Sequence, residues 1–160
     1  MQDIREIVPD LANAACTVEG VATGGQPGVE HFESLSAAGY RAVIDLRTGD
    51  EDRELSGVTE EQVVQGAGME YVSLPLASEA GAYTDEAFDR FRGIMTDPSR
   101  RPALVHCRTA TRVQPLILAY LTLDEGRSIE EAERLADNVS PRKQELHERA
   151  LAYIEPRHSA

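Results

Sequence analysis

Arg101-Pro102-Ala103-Leu104-Val105-His106-Cys107-Arg108-Thr109-Ala110-Thr111-Arg112-Val113-Gln114-Pro115-Leu116-Ile117-Leu118 is the stretch whose reading decides the fold. Ala103 to Val105 is a short apolar run after a proline, the pattern of a buried strand. Val113 to Leu123 is apolar on nearly every side, the pattern of a buried helix, and Pro115 sits in its first turn, where a missing N–H does no harm. Between them lies a six-residue loop that begins with Cys107 and ends with Arg112. A strand, a tight loop and a helix N-terminus converge backbone N–H groups on one point, with the positive end of the helix dipole behind them. Such a cradle binds anions, and a thiol at its mouth is expected to ionise readily. A thiolate there suits attack on phosphorus or sulfur. In the plainer reading, His106-Cys107 merely ends a core strand, and buried cysteines are usually inert. Apolar packing, however, gives no reason for both Arg108 and Arg112 in one tight loop. The planar fork of Arg112 falls where it could hold an oxyanion bidentately.

Working outward, the other segments alternate strand and helix patterns. Ala14 to Thr23 is predicted as a first strand, preceded by a partly ordered lead-in over 1–13. Gly24-Gly25-Gln26-Pro27-Gly28 is a turn. Glu30 to Gly39 is a helix, Arg41 to Leu46 a clear strand, and Arg47 to Gly57 a charged loop. Thr59 to Gln65 is a short helix with acids in its first turn, and Glu70 to Leu76 a strand. Ala77 to Tyr83 is a small-residue loop, and Thr84 caps a helix whose inward stripe is Ala87, Phe88, Phe91, Ile94 and Met95. Two C-terminal helices occupy 128–155: Ser128 with Glu131 forms a capping box for one, and Ser140-Pro141 opens the other. The expectation is a single α/β domain over 1–160, with a mostly parallel central sheet of about four strands covered by helices on both faces. Ligands bind such sheets at the carboxyl ends of the strands. Cys107, Arg47 and the Ala77–Tyr83 loop all follow strand ends.

Composition narrows the function. At 41% hydrophobic and 28% charged, the 160 residues are those of an ordinary globular protein. A net charge of −12 disfavours nucleic acid, anionic membranes and polyanionic partners. The run Asp50, Glu51, Asp52 and Glu54 adds local repulsion. Two cysteines, Cys16 and Cys107, are too few for a disulfide framework, and no secretory leader or membrane span is legible, so a cytoplasmic setting is expected. Cysteines this far apart, without clustered histidines, predict no structural zinc site, and no metal or cofactor is expected. His31, His147 and His158 read as surface residues.

The segment Val105-His106-Cys107 through Arg112 resembles the signature loop of the cysteine-dependent protein tyrosine and dual-specificity phosphatases. Gly24-Gly25-Gln26-Pro27, Phe32 to Leu35, Ala38 to Arg47 and Tyr71 to Pro75 extend that likeness to the bacterial beta-lactamase hydrolase-like, or DUF442, branch. The likeness covers roughly residues 15–125. It implies a phosphatase-like fold and hydrolysis of a small-molecule or protein phosphoester through a phosphocysteine on Cys107. Arg112 would bind the equatorial oxygens, with Arg108, Thr109, Ala110 and Thr111 completing the cup for a phosphate or sulfate ion. His106 would act from beneath, Arg47 and Gln26 would support, and Glu79, the only carboxylate within the Ala77–Tyr83 loop, is the candidate general acid. The loop departs from the main phosphatase pattern. Only four residues separate Cys107 from Arg112, a spacing similar to that of the DUF442 branch, and against that branch's loop Thr109 replaces a serine, Ala110 a glycine and Val113 the final serine. A positive φ at Ala110 would cost about 1 kcal/mol.

Two other readings carry different chemistry. A rhodanese-like sulfurtransferase would form a persulfide on Cys107; its loop often shares the C-x4-R spacing, and Val43-Ile44-Asp45-Leu46-Arg47 resembles its first motif. Alternatively, the altered loop binds phosphoanions without turnover.

Overall fold

A computed structural model of the chain describes residues 2–48, 54–55 and 57–158. The strand of the opening stretch, β7 (Ala103–His106), lies at the centre of a five-stranded sheet ordered β1-β2-β7-β3-β6. Its neighbours are β2 (Val21–Gly24) and β3 (Ala42–Asp45), and both pair with it in parallel. β6 (Glu70–Ser73) extends the parallel set, while β1 (Ala15–Val18) closes the other edge antiparallel to β2. A two-stranded ribbon of β4 (Glu54–Leu55) and β5 (Val58–Thr59) stands apart.

Side-chain alternation builds the two cores. Val21, Ala42, Ile44, Ala103 and Val105 pack under α4 (Asp85–Met95), α5 (Val113–Leu123), α6 (Ile129–Asp137) and α7 (Gln144–Ile154). Ala22, Val43 and Leu104, one residue out of step, pack under α1 (Ile4–Ile7), α2 (Val29–Ala37) and α3 (Glu60–Gly66). The period of two is that of a sheet buried on both faces. Helix α5 is the spine of the first layer. Every residue from Val113 to Thr122 is buried, and at about 1.5–3 kcal/mol per large apolar side chain this burial dominates the local energetics. Phe91 meets Tyr120 edge-on at 6.5 Å, and Phe88 stacks on Tyr153 at 4.4 Å, tying α4 to α5 and α7.

The structure amends several expectations. The sheet has five strands rather than about four, because Ala14–Thr23 is a hairpin and not one strand. It reverses at Gly20, whose φ of +88° suits a residue without Cβ. The lead-in is more ordered than expected: Asp3 caps α1, and Ile4, Val8 and Leu11 are buried. The last helix starts at Gln144 rather than just after Pro141. His31 and His147 are buried, not surface residues. The His31 ring accepts from Gly28 N–H and meets Asp10, and His147 Nε2 lies 2.7 Å from Glu133. Asp50, Glu51 and Asp52 and the side chain of Glu54 lie outside the described residues. Among the described residues, no helix is long and apolar enough to cross a membrane.

Candidate active site

Strand β7 ends at His106 and α5 begins at Val113, so residues 107–112 form the expected connecting loop. Cys107 lies at its floor. Its side chain is 1% exposed and belongs to the same apolar cluster as Ala110 and Val113. Ala110 turns the chain with φ +71°, and Val113 N–H then donates to its carbonyl at 3.1 Å, which opens the helix. That left-handed conformation costs an L-residue about 1–2 kcal/mol, and the surrounding packing holds it in place. Arg112 is the N-cap of α5. It is buried, with Nη1 donating to Leu76 carbonyl at 3.2 Å. Its own carbonyl accepts from Tyr83 Oη at 2.7 Å. Burial pushes the Tyr83 phenol far above its usual range, so it remains a donor. The Ala77–Tyr83 loop is therefore fastened to Arg112 at both ends.

The other side of the loop is braced by the turn after β2. Gln26 N–H donates to Arg108 carbonyl at 3.1 Å, and Gly25 N–H to Ala12 carbonyl at 2.8 Å. A Cβ on Gly25 would stand 2.8 Å from the Arg108 carbonyl oxygen, so only glycine permits this approach. The Arg108 side chain is exposed. Thr109 and Thr111 share a hydroxyl contact at 3.1 Å, and Thr111 lies 3.5 Å from Ser140 Oγ, which brings the start of the C-terminal segment against the loop. Lys143 donates from Nζ to the carbonyl of Ser78 at 3.1 Å.

Beneath the loop lies a buried polar cluster. His106 and Cys107 are consecutive in extended chain and so project to opposite faces of the sheet. The His106 ring points toward α3, where its Nε2 lies 2.6 Å from Glu60 Oε2. Its Nδ1 lies 3.3 Å from the Cys107 carbonyl. Glu60 Oε1 accepts from Gln26 Nε2 at 2.7 Å and from Arg47 Nη2 at 3.3 Å. Asp45, in register with His106 across β3 and β7, accepts from Arg47 Nε at 3.2 Å and Tyr71 Oη at 2.6 Å. Burial alone would depress the imidazole, but the Glu60 and Asp45 carboxylates outweigh it and hold His106 above its ordinary value. Burial would likewise raise Asp45, yet His106, Arg47 and Tyr71 hold it below the usual carboxylate range.

The structure thus gathers Cys107, Arg112 and the loop residues 108–111 at one strand end. His106, Arg47 and Gln26 lie behind them. The Gln26 side chain turns to Glu60 rather than toward the cup. Glu79 stands exposed on the neighbouring loop, at the N-cap of a short 3-10 turn over Ala80–Ala82. Sequence reasoning missed Glu60, Tyr71 and Tyr83. In sequence, Glu60 reads only as an acid in the first turn of a helix, where the helix dipole accounts for it without any site.

Among the described residues, two groups of side chains have metal-like composition, and neither fits a cation. At Asp10, Glu30 and His31, a backbone N–H donates to Nδ1, so the ring proton of neutral His31 sits on Nε2, the atom facing Asp10 at 2.9 Å. At Asp45, Glu60 and His106, the guanidinium of Arg47 already bridges both carboxylates. A cleft of about 610 Å³ lined by Glu19, Arg101, Glu125 and Arg127 lies at the opposite, amino end of the parallel strands. Its arginines are engaged with Tyr120, Glu125 and Glu131.

Comparison with known proteins bears on the family and the fold. Residues 12–152 match the family model described as a DSP-PTPase phosphatase fused to NAD+ kinase. A beta-lactamase hydrolase-like protein of Agrobacterium fabrum is 31% identical over 107 residues, covering 66% of this chain and 24% of the relative. Its counterpart in Xylella fastidiosa is 30% identical over 119 residues, covering 73% and 27%. This chain spans about a quarter of the length of those curated relatives. Among solved structures, a DUF442 protein of Shewanella putrefaciens superposes with a TM-score of 0.71 at 21% identity, covering 94% of this chain and 98% of that one. The core catalytic domain of a PP-IP phosphatase from S. cerevisiae, in complex with citrate, gives 0.72 at 17% identity, covering 89% and 86%. The fold is that of the protein tyrosine and dual-specificity phosphatases.

Proposed function

This chain belongs to the family of DSP-PTPase phosphatases fused to NAD+ kinase, and from that membership we propose that it hydrolyses a phosphomonoester through Cys107. The thiolate attacks phosphorus, an S–P bond forms and the P–O bond to the leaving group breaks. Arg112 and the loop N–H groups take up the equatorial charge, and Glu79 gives the leaving oxygen its proton. Water then gives a proton to the Glu79 carboxylate and attacks the phosphocysteine: a P–O bond forms, the S–P bond breaks, and phosphate and the thiolate are released. The observation that carries this reading is that Arg112 and Cys107 share one loop, with the guanidinium buried rather than solvated. The acidic surface favours a small phosphoester or a phosphorylated protein residue over a polyanion.

Phosphatase family membership weighs against sulfur transfer. One observation favours a second reading, binding without turnover: Cys107 is only 1% exposed. A single assay series separates the three. Hydrolysis of para-nitrophenyl phosphate that disappears in Cys107→Ser, with a trapped phosphoenzyme, supports phosphatase action. Thiocyanate release from thiosulfate and cyanide would replace it with the sulfurtransferase. Binding of phosphate without either activity would leave the binding module. Within the phosphatase reading, Glu79→Gln should slow alkyl phosphates far more than aryl phosphates, whose leaving groups need no proton.

A further inference from the structure

We propose that Glu60 is the positioning residue of the nucleophile: it fixes the ring of His106 as a cation directly behind Cys107 and so sets the reactivity of the sulfur. The proposal rests on the reading of Cys107 as the nucleophile and concerns a residue outside the signature loop.

The hydrogen-bond directions decide the ring's state. The Cys107 carbonyl can only accept, so the contact at 3.3 Å requires a proton on Nδ1 of His106. Nε2 then either donates to Glu60 or accepts from it across 2.6 Å. Two donors, Gln26 Nε2 and Arg47 Nη2, converge on the other oxygen of Glu60. Gln26 cannot be turned over, because its oxygen would then face both Glu60 Oε1 and the carbonyl of Pro27, to which Nε2 donates at 3.0 Å. Both donors favour the carboxylate, which leaves the proton on Nε2. Charge balance agrees. With Asp45 and Glu60 negative and Arg47 positive, the buried cluster is neutral only when His106 is charged. A neutral ring would leave one uncompensated negative charge in the interior, the costlier arrangement.

Among the described residues, the groups facing His106 are Asp45 from β3, Glu60 from α3 and Cys107 itself; Arg47 reaches it through Asp45 and Glu60, and Tyr71 from β6 through Asp45. Glu60 is the one that touches the ring at hydrogen-bond distance from the side opposite the loop. Its buried position, 0% exposed, keeps water from replacing it.

The test reads the sulfur and the ring separately from turnover. Iodoacetamide alkylation of Cys107, followed by peptide mass spectrometry from pH 5 to 9, is compared for wild type, Glu60→Gln and Glu60→Asp. The expected result is a midpoint moved up by about one pH unit in Glu60→Gln, hence up to roughly tenfold slower alkylation on the acid side of the wild-type midpoint, with partial recovery in Glu60→Asp. Nitrogen-15 NMR of the wild-type ring should report a doubly protonated His106 at pH 7. Superposable alkylation profiles, or a neutral wild-type ring at pH 7, would overturn the proposal. The NMR titration decides it even if Glu60→Gln does not fold. Loss of phosphatase activity with these signatures intact would instead count against the proposed reaction alone.

Discussion

Tyr83 donates its phenolic hydrogen to the carbonyl of Arg112 across 2.7 Å, and both residues are buried. This bond joins the loop that carries Glu79 to the last residue of the 107–112 loop. Removing the hydroxyl leaves a buried carbonyl without that donor, a loss of about 1–3 kcal/mol. Tyr83→Phe should lower the urea midpoint accordingly and weaken vanadate binding. Unchanged vanadate affinity would mean that the two loops act independently.

Gly25 approaches the 107–112 loop from the other side. The Cβ of alanine would meet the Arg108 carbonyl at 2.8 Å and the Ala12 carbonyl at 3.1 Å, both backbone atoms with little room to give. Gly25→Ala is expected to cost about 1–3 kcal/mol through overpacking and to reduce phosphate affinity by displacing Arg108. Calorimetry with and without phosphate checks both effects.

Ala110 carries its methyl group at φ +71°. A β-branched side chain is worse suited to that conformation, and the site is fully buried. Ala110→Val should lose more than about 2 kcal/mol. Ala110→Gly should stay within about 1 kcal/mol of wild type, because the gain from relieved strain opposes the loss of one buried methyl. Equal denaturation midpoints for all three proteins would contradict the left-handed turn.

The buried cluster predicts a two-sided pH dependence of stability. The His106 value is raised by folding, so its contribution is complete below its ordinary value of 6.5 and is lost as pH climbs through the higher folded value. The Asp45 value is lowered, so its contribution is present above its ordinary 3.8 and is lost as pH falls through the folded value. Urea midpoints of wild type should therefore fall on the alkaline side relative to His106→Asn. Parallel curves for the two proteins would rule out the coupling.

Much of this architecture was legible in the chain because its signals are local. The apolar run at Ala103–Val105, the all-apolar Val113–Leu123 and the N-cap Ser128 each carry their own physics, and the structure follows them; of the expected capping box only the bond from Glu131 N–H to Ser128 forms, the Glu131 carboxylate turning to Arg127 instead. The first hairpin was missed because Glu19-Gly20 is a weak turn signal inside a loosely alternating segment. Glu60 was missed for a different reason. Its importance comes from His106, 46 residues away, and no local pattern separates a first-turn glutamate that faces water from one that faces a buried imidazole. The Arg47 and Gln26 side chains were placed near the crevice by their strand ends, yet their target was this same glutamate.

Lys143 is the chain's sole lysine, and its ammonium group holds the Ser78 carbonyl beside Glu79. An amine-directed fluorophore would consequently mark one side chain only, beside the loop that carries Glu79. Its emission would then serve as an optical gauge of whether that loop rearranges when an oxyanion is added.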